Sequence, residues 1–147
     1  MSFDLFATNF HDGAAAPGSA PAILAVLRPF LTVGPEEGGF CRTTTPDGGE
    51  ADFYVGDEGF MVNHFSPGET GDLIRRAASN NGLVLFAPGL PAMLTDAGQL
   101  DHLPDALLSL EPAPVIVSTG AELDALISGD PETYQRCRGR LVGPVRD

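Results

Sequence analysis

The sequence predicts an α+β fold with a single mixed or mainly antiparallel sheet that carries helices on one face. Three observations support this fold class. Strand-forming and turn-forming segments alternate over residues 40–65, which is typical of an antiparallel meander. Residues 66–82 and 119–127 each combine a helix-start pattern with an apolar stripe. The continuous apolar run at residues 83–87 predicts a strand that is covered on both faces.

The first part of the chain predicts one strand, one short helix and one exposed loop. Residues 2–10 are rich in aromatic and apolar side chains and run into the turn-forming residues 11–13, so a strand is expected there. Ser19 is placed to cap a helix that continues over residues 22–28. The glycine-rich segment 34–39 has no periodicity and is expected to be an exposed loop.

The middle of the chain predicts three consecutive antiparallel strands and then a helix. Residues 40–45 and 51–55 flank a turn rich in Pro, Asp and Gly, and residues 60–65 form the third strand. At residues 66–69 a serine at the N-cap, a proline at the first helical position and a glutamate at the third predict the start of the second helix. The apolar stripe of this helix consists of Leu73, Ile74, Ala77 and Ala78.

Residues 90–110 allow two interpretations. One is a further short strand at residues 92–95, and the other is a helical or irregular segment. The second interpretation uses the leucines Leu100, Leu103, Leu107 and Leu108. A strand at residues 115–117 and a helix that starts at Thr119 follow, and residues 130–137 predict a final helix. The resulting order, β-α-β-β-β-α-β and then β-α, predicts an elaboration of the ferredoxin-like arrangement.

The composition predicts one acidic domain over residues 1–147. Twenty Asp and Glu residues stand against eight arginines and no lysine, which gives a formal net charge of −12. Residues 136–147 differ from the acidic body because they hold four of the arginines and form a basic C-terminal tail. An acidic surface repels phosphate groups, so we expect no nucleic-acid binding and a preference for a basic protein partner.

The sequence predicts a cytoplasmic protein without membrane contacts. No apolar run approaches the ~18 residues that a membrane span needs. The N-terminus lacks the basic and apolar regions of a secretion signal. Cys41 and Cys137 are single and far apart in the sequence, so we expect them to be reduced packing residues.

Four acidic residues are candidate contacts for a basic partner. Glu36 and Glu37 lie in the predicted loop before the meander, and Asp57 and Glu58 lie in the turn before its third strand. Adjacent acids in glycine-flanked turns are normally solvated and do not lie on either side of a substrate. Their expected role is therefore electrostatic attraction of the partner and not catalysis.

A second group of candidate binding residues surrounds the predicted start of the second helix. His64 directly precedes Ser66 and Glu69, and a histidine beside a helix N-terminus can bind an anion or exchange a proton. On the predicted strand His64 shares a face with Phe60 and Val62. The alternative interpretation is a half-buried histidine with a backbone hydrogen bond.

Arg75 and Arg76 on the second helix are candidates for binding an anion or a carboxylate of a partner. Asp72 precedes them by three and four residues, so pairing with Asp72 on the helix surface is the alternative interpretation.

The sequence contains no catalytic motif that we can assign. The absence of lysine excludes Schiff-base and P-loop lysine chemistry. His11, His64 and His102 are far apart in the sequence, and none has the spacing of a metal-ligand pair. We therefore predict neither a catalytic residue nor a metal or other cofactor, which favours a protein that is not an enzyme.

Parts of the chain resemble a group of small uncharacterised bacterial proteins. Residues 1–5 read MSFDL, residues 74–78 read IRRAA and residues 81–84 read NGLV, whereas members of that group begin with MSYDL and carry a helix that ends in an AxxxGLxV strand entry. Where they often continue with DPQ, residues 87–89 read APG. Small acidic α+β domains of this kind also resemble immunity proteins of bacterial toxin systems, which neutralise basic toxin enzymes by direct binding. This resemblance implies a binding role and transfers no catalytic residue.

Three functional hypotheses follow from the sequence. The first is an acidic cytoplasmic domain, of immunity type, that binds a basic protein. The second is a small-molecule-binding or catalytic domain with a pocket near His64 and the helix start at Ser66. The third is a homo-oligomeric structural module, such as a homodimer formed through an exposed sheet edge or face.

Overall fold

The computed structural model describes residues 4–142 of the chain. Within this range the strands are β1 Leu5–Thr8, β2 Phe10–His11, β3 Ala14–Ala15, β4 Leu31–Val33, β5 Phe40–Thr44, β6 Glu50–Val55, β7 Gly59–Asn63, β8 Val84–Phe86, β9 Met93–Leu94 and β10 Val115–Ile116. The α-helices are α1 Ala20–Leu27, α2 Glu69–Asn80, α3 Asp105–Leu108, α4 Gly120–Ile127 and α5 Pro131–Val142. Two 3₁₀ helices span Arg28–Phe30 and Ala97–His102.

The described residues form one large sheet and a small separate hairpin. The large sheet has eight strands in the order β10-β9-β8-β1-β7-β6-β5-β4, and β2 pairs with β3. Neighbouring strands of the large sheet are antiparallel except β9 and β10, which are parallel. The predicted α+β class and the mainly antiparallel sheet are therefore confirmed.

The topology differs from the ferredoxin-like order expected from the sequence. That order has two strands between its two helices, whereas the four strands β4 to β7 lie between α1 and α2. The sheet also has more strands than expected. β4 and β9 have three and two residues, and so short a strand carries no periodic pattern of its own.

One face of the sheet is covered by α1, α2, α4 and α5, and the main core lies between them. Alternate strand residues point into this core, among them Leu5 of β1 and Phe53 of β6, and both side chains are fully buried. The predicted apolar stripe of α2 is confirmed by full burial of Leu73, Ile74, Ala77 and Ala78. Removal of this apolar surface from water is the main favourable contribution to folding.

Only part of the opposite face is covered. Over β8, β9 and β10, a second core of Val84, Ala92, Leu94 and Leu103 packs beneath the Ala97–His102 helix and α3. Both interpretations of residues 90–110 thus hold in part, since this segment contains a short strand as well as helical turns. Over β1, β7, β6 and β5 none of the described helices covers the same face, and most of its side chains are half-buried or exposed. We call this region the open sheet face.

Two of the predicted helix starts are confirmed by their side-chain caps. Ser19 Oγ accepts a hydrogen bond from the N–H of Ala22 at 3.2 Å, and Thr119 Oγ1 accepts one from Glu122 at 3.1 Å. Within residues 4–142, no helix combines the length and the apolar character that crossing a bilayer requires.

Candidate functional site

A row of aromatic and apolar side chains crosses the open sheet face and ends on the adjacent strand β8. The register places Phe86, Phe6, Met61, Tyr54 and Phe40 side by side on β8, β1, β7, β6 and β5. We call these five residues the aromatic row. The rings of Phe6 and Phe86 are 5.6 Å apart and stacked, and those of Phe40 and Tyr54 are 5.3 Å apart. Tyr54 is 38% exposed, and the other four are half-buried.

The four acidic residues predicted as binding contacts lie in two loops at the same edge of the sheet, where β5 begins and where β6 turns into β7. Phe40 pairs with Tyr54, and the backbone of Glu36 donates a hydrogen bond to the Phe40 carbonyl at 2.9 Å. Asp57 and Glu58 lie in the β6–β7 turn immediately after Val55, whose N–H bonds to Gly39 at 2.9 Å. Both acidic loops are exposed. We call Glu36, Glu37, Asp57 and Glu58 the acidic rim.

A groove connects the aromatic row to the acidic rim. Its volume is about 410 Å³, and its lining includes Phe6, Tyr54 and Met61 of the row and Asp57 and Glu58 of the rim. The groove therefore combines three side chains of the aromatic row with two carboxylates in one mixed lining. Such a combination is suited to an apolar side chain flanked by positive charge.

A polar row runs beside the aromatic row, and His64 belongs to it. Asp52 is only 7% exposed, and its carboxylate accepts a hydrogen bond from Arg42 Nε at 2.8 Å and lies 3.1 Å from His64 Nδ1. The hydrogen bond from Arg42 is the main reason why the pKa of Asp52 lies below its usual value. Asn63 continues the row by donating to Asp4 at 3.1 Å.

The predicted orientation of His64 is wrong. β7 ends at Asn63, and His64 has a left-handed backbone with φ of 52°. This conformation turns its ring to Asp52 on the open sheet face, away from the core face that Phe60 and Val62 occupy. Strand alternation does not extend past a residue in the left-handed region, which explains the difference.

The predicted start of the second helix is also wrong. α2 begins at Glu69, and its N-cap is Gly68 rather than Ser66. Gly68 has φ of 106°, a conformation that favours glycine, so residues 66–68 do not enter the helix.

Carboxylates distant in sequence replace the missing serine cap of α2. The Gly68 N–H donates to Asp124 Oδ2 at 2.8 Å, and the Glu69 N–H donates to Asp47 Oδ2 at 3.0 Å. Two hydrogen bonds hold the pKa of Asp47 below its usual value. The one from the Thr45 hydroxyl has the larger effect, and the one from the Glu69 N–H has the next largest. These two donors of the helix N-terminus are thus paired with the protein's own carboxylates and not directed at a ligand.

Arg75 and Arg76 both make contacts within the protein. Arg75 Nε donates to the Val117 carbonyl at 3.4 Å. Arg76 forms an ion pair with Asp72 at 3.3 Å, and its guanidinium lies 5.7 Å from the centre of the Phe30 ring. The pairing with Asp72 that the helix spacing allowed is therefore present for Arg76.

The arginines at the start of the predicted basic tail lie in α5. Arg140 Nη1 donates to Glu122 Oε1 at 2.6 Å, and Arg138 Nη1 donates to the Pro114 carbonyl at 2.6 Å. Glu122 is 8% exposed, and the hydrogen bonds from Arg140 are the main cause that lowers the pKa of its carboxyl to about 2. These contacts tie α5 to α4 and β10. Residues 143–147 of the predicted tail lie outside the described residues.

Sequence spacing did not reveal one further cluster, formed by His11, Asp12 and His102. The rings of His11 and His102 stack with their centres 4.9 Å apart, and Asp12 lies against both. Asp12 and His102 are 90 positions apart, so no local pattern connects them. His64 does not take part, because it belongs to the polar row with Asp52.

Comparison with known proteins identifies no family for this chain. No family model, no curated protein and no solved structure matches it.

Proposed function

We propose that the protein is an acidic binding domain that binds a basic protein partner through the open sheet face. The observation that carries this proposal is the aromatic row with the acidic rim in the loops at the neighbouring edge of the sheet. Neutralisation of a basic toxin enzyme by an immunity-type domain would be one form of this function.

The aromatic row supports the apolar part of the proposed interface. Large contiguous apolar patches on the surface of a monomeric protein often mark a binding site. Tyrosine and other aromatic side chains are enriched among the residues that contribute most to protein binding. Tyr54 is the most exposed member of the row at 38% and lies between Met61 and Phe40, so we expect it to be the main anchor.

The acidic rim supports a basic partner. The chain has a net charge of −12, all four rim residues are exposed, and Asp57 and Glu58 line the groove. Complementary charge accelerates association and disfavours partners of the same sign. A second copy of this chain would bring another acidic rim to the same face, and nucleic acid would bring phosphates. Both are therefore less suited to this surface than a basic protein.

We place this binding in the cytoplasm. Cys41 and Cys137 are unpaired and buried, and unpaired thiols are usual in reducing compartments. Burial raises the pKa of both thiols, so their reactive thiolate forms are disfavoured.

The test compares matched variants against one defined partner. A basic protein retained by the immobilised chain at low salt is identified, purified and titrated against wild type, Tyr54→Ala and the double variant Asp57→Arg/Glu58→Arg. The control is Asp101→Arg/Glu111→Arg, which makes the same change in charge at exposed acids outside the aromatic row and the acidic rim.

We expect both open-face variants to weaken binding by about tenfold or more, as loss of an anchor residue does, and the control to bind like wild type. Raised salt should slow association of the wild type. Retention of no basic protein, or equal binding by all variants, would contradict the proposal. If the wild type sediments as a dimer and Tyr54→Ala as a monomer, the open sheet face binds a second copy of the chain instead.

One observation favours a second candidate function, a catalytic or small-molecule site at His64. The Asp52 carboxylate lies 3.1 Å from His64 Nδ1, and a carboxylate in this position orients an imidazole for proton transfer. The His64 side chain is 62% exposed, so it is accessible to a ligand. Unchanged ligand binding or turnover after His64→Asn would exclude this site.

A further inference from the structure

We propose that His11, Asp12 and His102 form a binding site for one divalent transition-metal ion of the zinc type. This site is separate from the open sheet face and does not depend on the proposed partner binding. The potential ligand atoms of the three side chains lie within 4.8 Å of one another.

A tight hairpin positions two of the three residues. His11 pairs with Ala14 across the β2–β3 hairpin, and Asp12 and Gly13 form the turn with φ of 50° and 86°. Two consecutive residues with positive φ are typical of a type I′ turn, for which Asp-Gly is a preferred sequence. The turn therefore holds the side chains of His11 and Asp12 next to each other.

The third residue is held against this turn by two hydrogen bonds. The Asp12 N–H donates to His102 Nδ1 at 3.1 Å, and the Gly13 N–H donates to the His102 carbonyl at 3.0 Å. His102 is the last residue of the Ala97–His102 helix, which a capping box of Asp96 and Gln99 fixes at its start. Two separately stabilised segments thus bring the three residues next to each other.

The donor set suits a borderline divalent cation. Two imidazoles and one carboxylate are a common ligand set for zinc and neighbouring transition metals, and they leave a further coordination position open. Asp12 lies 3.3 Å from His11 Nε2 and 3.5 Å from His102 Nδ1, so one carboxylate already contacts both rings. A negative charge between two imidazoles favours a bound cation.

Binding requires a limited rearrangement of exposed side chains. Ligand atoms around a tetrahedral zinc ion lie about 3.4 Å apart. Asp12 is already at about this distance from both imidazoles, so the two histidine nitrogens must approach each other by up to about 1.4 Å. The His11 ring must also leave its stack on His102, because a metal lies in the plane of each imidazole that binds it. The side chains of His11 and Asp12 are 67% and 77% exposed and are free to rotate. A metal at His102 Nδ1 replaces the hydrogen bond from the Asp12 N–H.

A cleft beside the two histidines gives the open coordination position access to a further ligand. Its volume is about 400 Å³, and its lining includes both histidines together with Asn9, Asp96 and Gln99. Water or an oxygen donor of a small molecule can reach the metal from this cleft.

The test is a titration of the tag-free protein with Zn²⁺, followed by calorimetry and by thermal unfolding. The variants are His11→Phe, which keeps an aromatic ring in the stack, and Asp12→Asn, which suits the left-handed turn position. His102 stays unchanged because it anchors the hairpin. The matched control is His64→Asn, which removes the remaining histidine of the chain.

We expect the wild type and His64→Asn to bind one equivalent of Zn²⁺ with the same affinity and to unfold at a higher temperature with the metal. His11→Phe and Asp12→Asn should each bind at least about tenfold more weakly, because each removes one ligand. Their metal-free unfolding temperatures show whether they remain folded. Absence of one-to-one binding by the wild type would overturn the proposal. Loss of binding in His64→Asn, or wild-type affinity in both site variants, would overturn it as well.

Discussion

Asp124 of α4 caps α2, since its Oδ2 atom lies 2.8 Å from the backbone nitrogen of Gly68. The two residues are 56 positions apart in the sequence. Burial raises the pKa of the Asp124 carboxyl, while the hydrogen bond from Gly68 acts in the opposite direction. The contact therefore joins two helices at the cost of placing a carboxyl group in a partly buried position.

Replacement of Asp124 by alanine should lower the free energy of unfolding by about 1 kcal/mol, the usual cost of losing a helix cap. Asp124→Asn keeps an oxygen acceptor without the charge and should lose less. Urea denaturation of the three proteins measures both differences. Equal stability of wild type and Asp124→Ala would show that the Gly68 N–H finds another partner.

Because α2 and α4 pack closely at Gly120, we expect one methyl group added there to have a large effect on stability. A Cβ atom on Gly120 would overlap the backbone of Asp72, which cannot move without separating the two helices. We expect Gly120→Ala to lower the free energy of unfolding by about 1–3 kcal/mol through overpacking.

The matched control for this substitution is Gly139→Ala in α5. A Cβ atom on Gly139 would have no neighbour within 4 Å. Because alanine has the higher helix propensity, this change should raise the free energy of unfolding by up to about 1 kcal/mol. Chemical denaturation of both variants gives the two values, and a stabilising Gly120→Ala would refute the helix contact.

The Glu122–Arg140 pair predicts how stability depends on pH. The pKa of Glu122 is about 2 in the folded protein, below its ordinary value of 4.5. Its contribution is therefore fully present above about pH 5 and is lost as pH falls towards 2, with a total of the order of 3 kcal/mol. Glu122→Gln should be less stable than wild type at pH 7, and this difference should shrink between pH 5 and pH 2.

Denaturant unfolding of wild type and Glu122→Gln at several pH values measures this dependence. Asp101→Asn is a suitable control, because it removes one exposed carboxylate. A stability difference between wild type and Glu122→Gln that stays constant from pH 7 to pH 3 would contradict the assignment.

Local signals in the sequence predicted the elements whose stabilising contacts are also local. Ser19 and Thr119 cap helices within three residues of themselves, and the apolar stripe of α2 repeats with the period of the helix. The start of α2 was predicted wrongly although residues 66–69 carry a strong local pattern. Here Asp47 and Asp124 satisfy the helix donors, and Gly68 takes a conformation that ends the pattern.

In the candidate site, too, the sequence revealed local features but not contacts between distant segments. The sequence identified the acidic residues of the rim, because adjacent acids in glycine-rich turns are visible without a structure. It did not show that both loops lie at one end of the sheet, or that Tyr54 and Met61 lie in one row with Phe40. His64 was singled out for its position before a helix, yet its observed partner is Asp52.

The sequence by itself determined the α+β class, the antiparallel meander, most helix positions and the acidic character of the surface. These properties depend on composition and on contacts between residues close together in the chain. Only the tertiary structure decided the strand order, the uncovered part of the sheet, the caps of α2 and the meeting of His11 with His102. Each of these depends on pairing between distant segments, and side-chain periodicity along one segment does not specify which other segment it will contact.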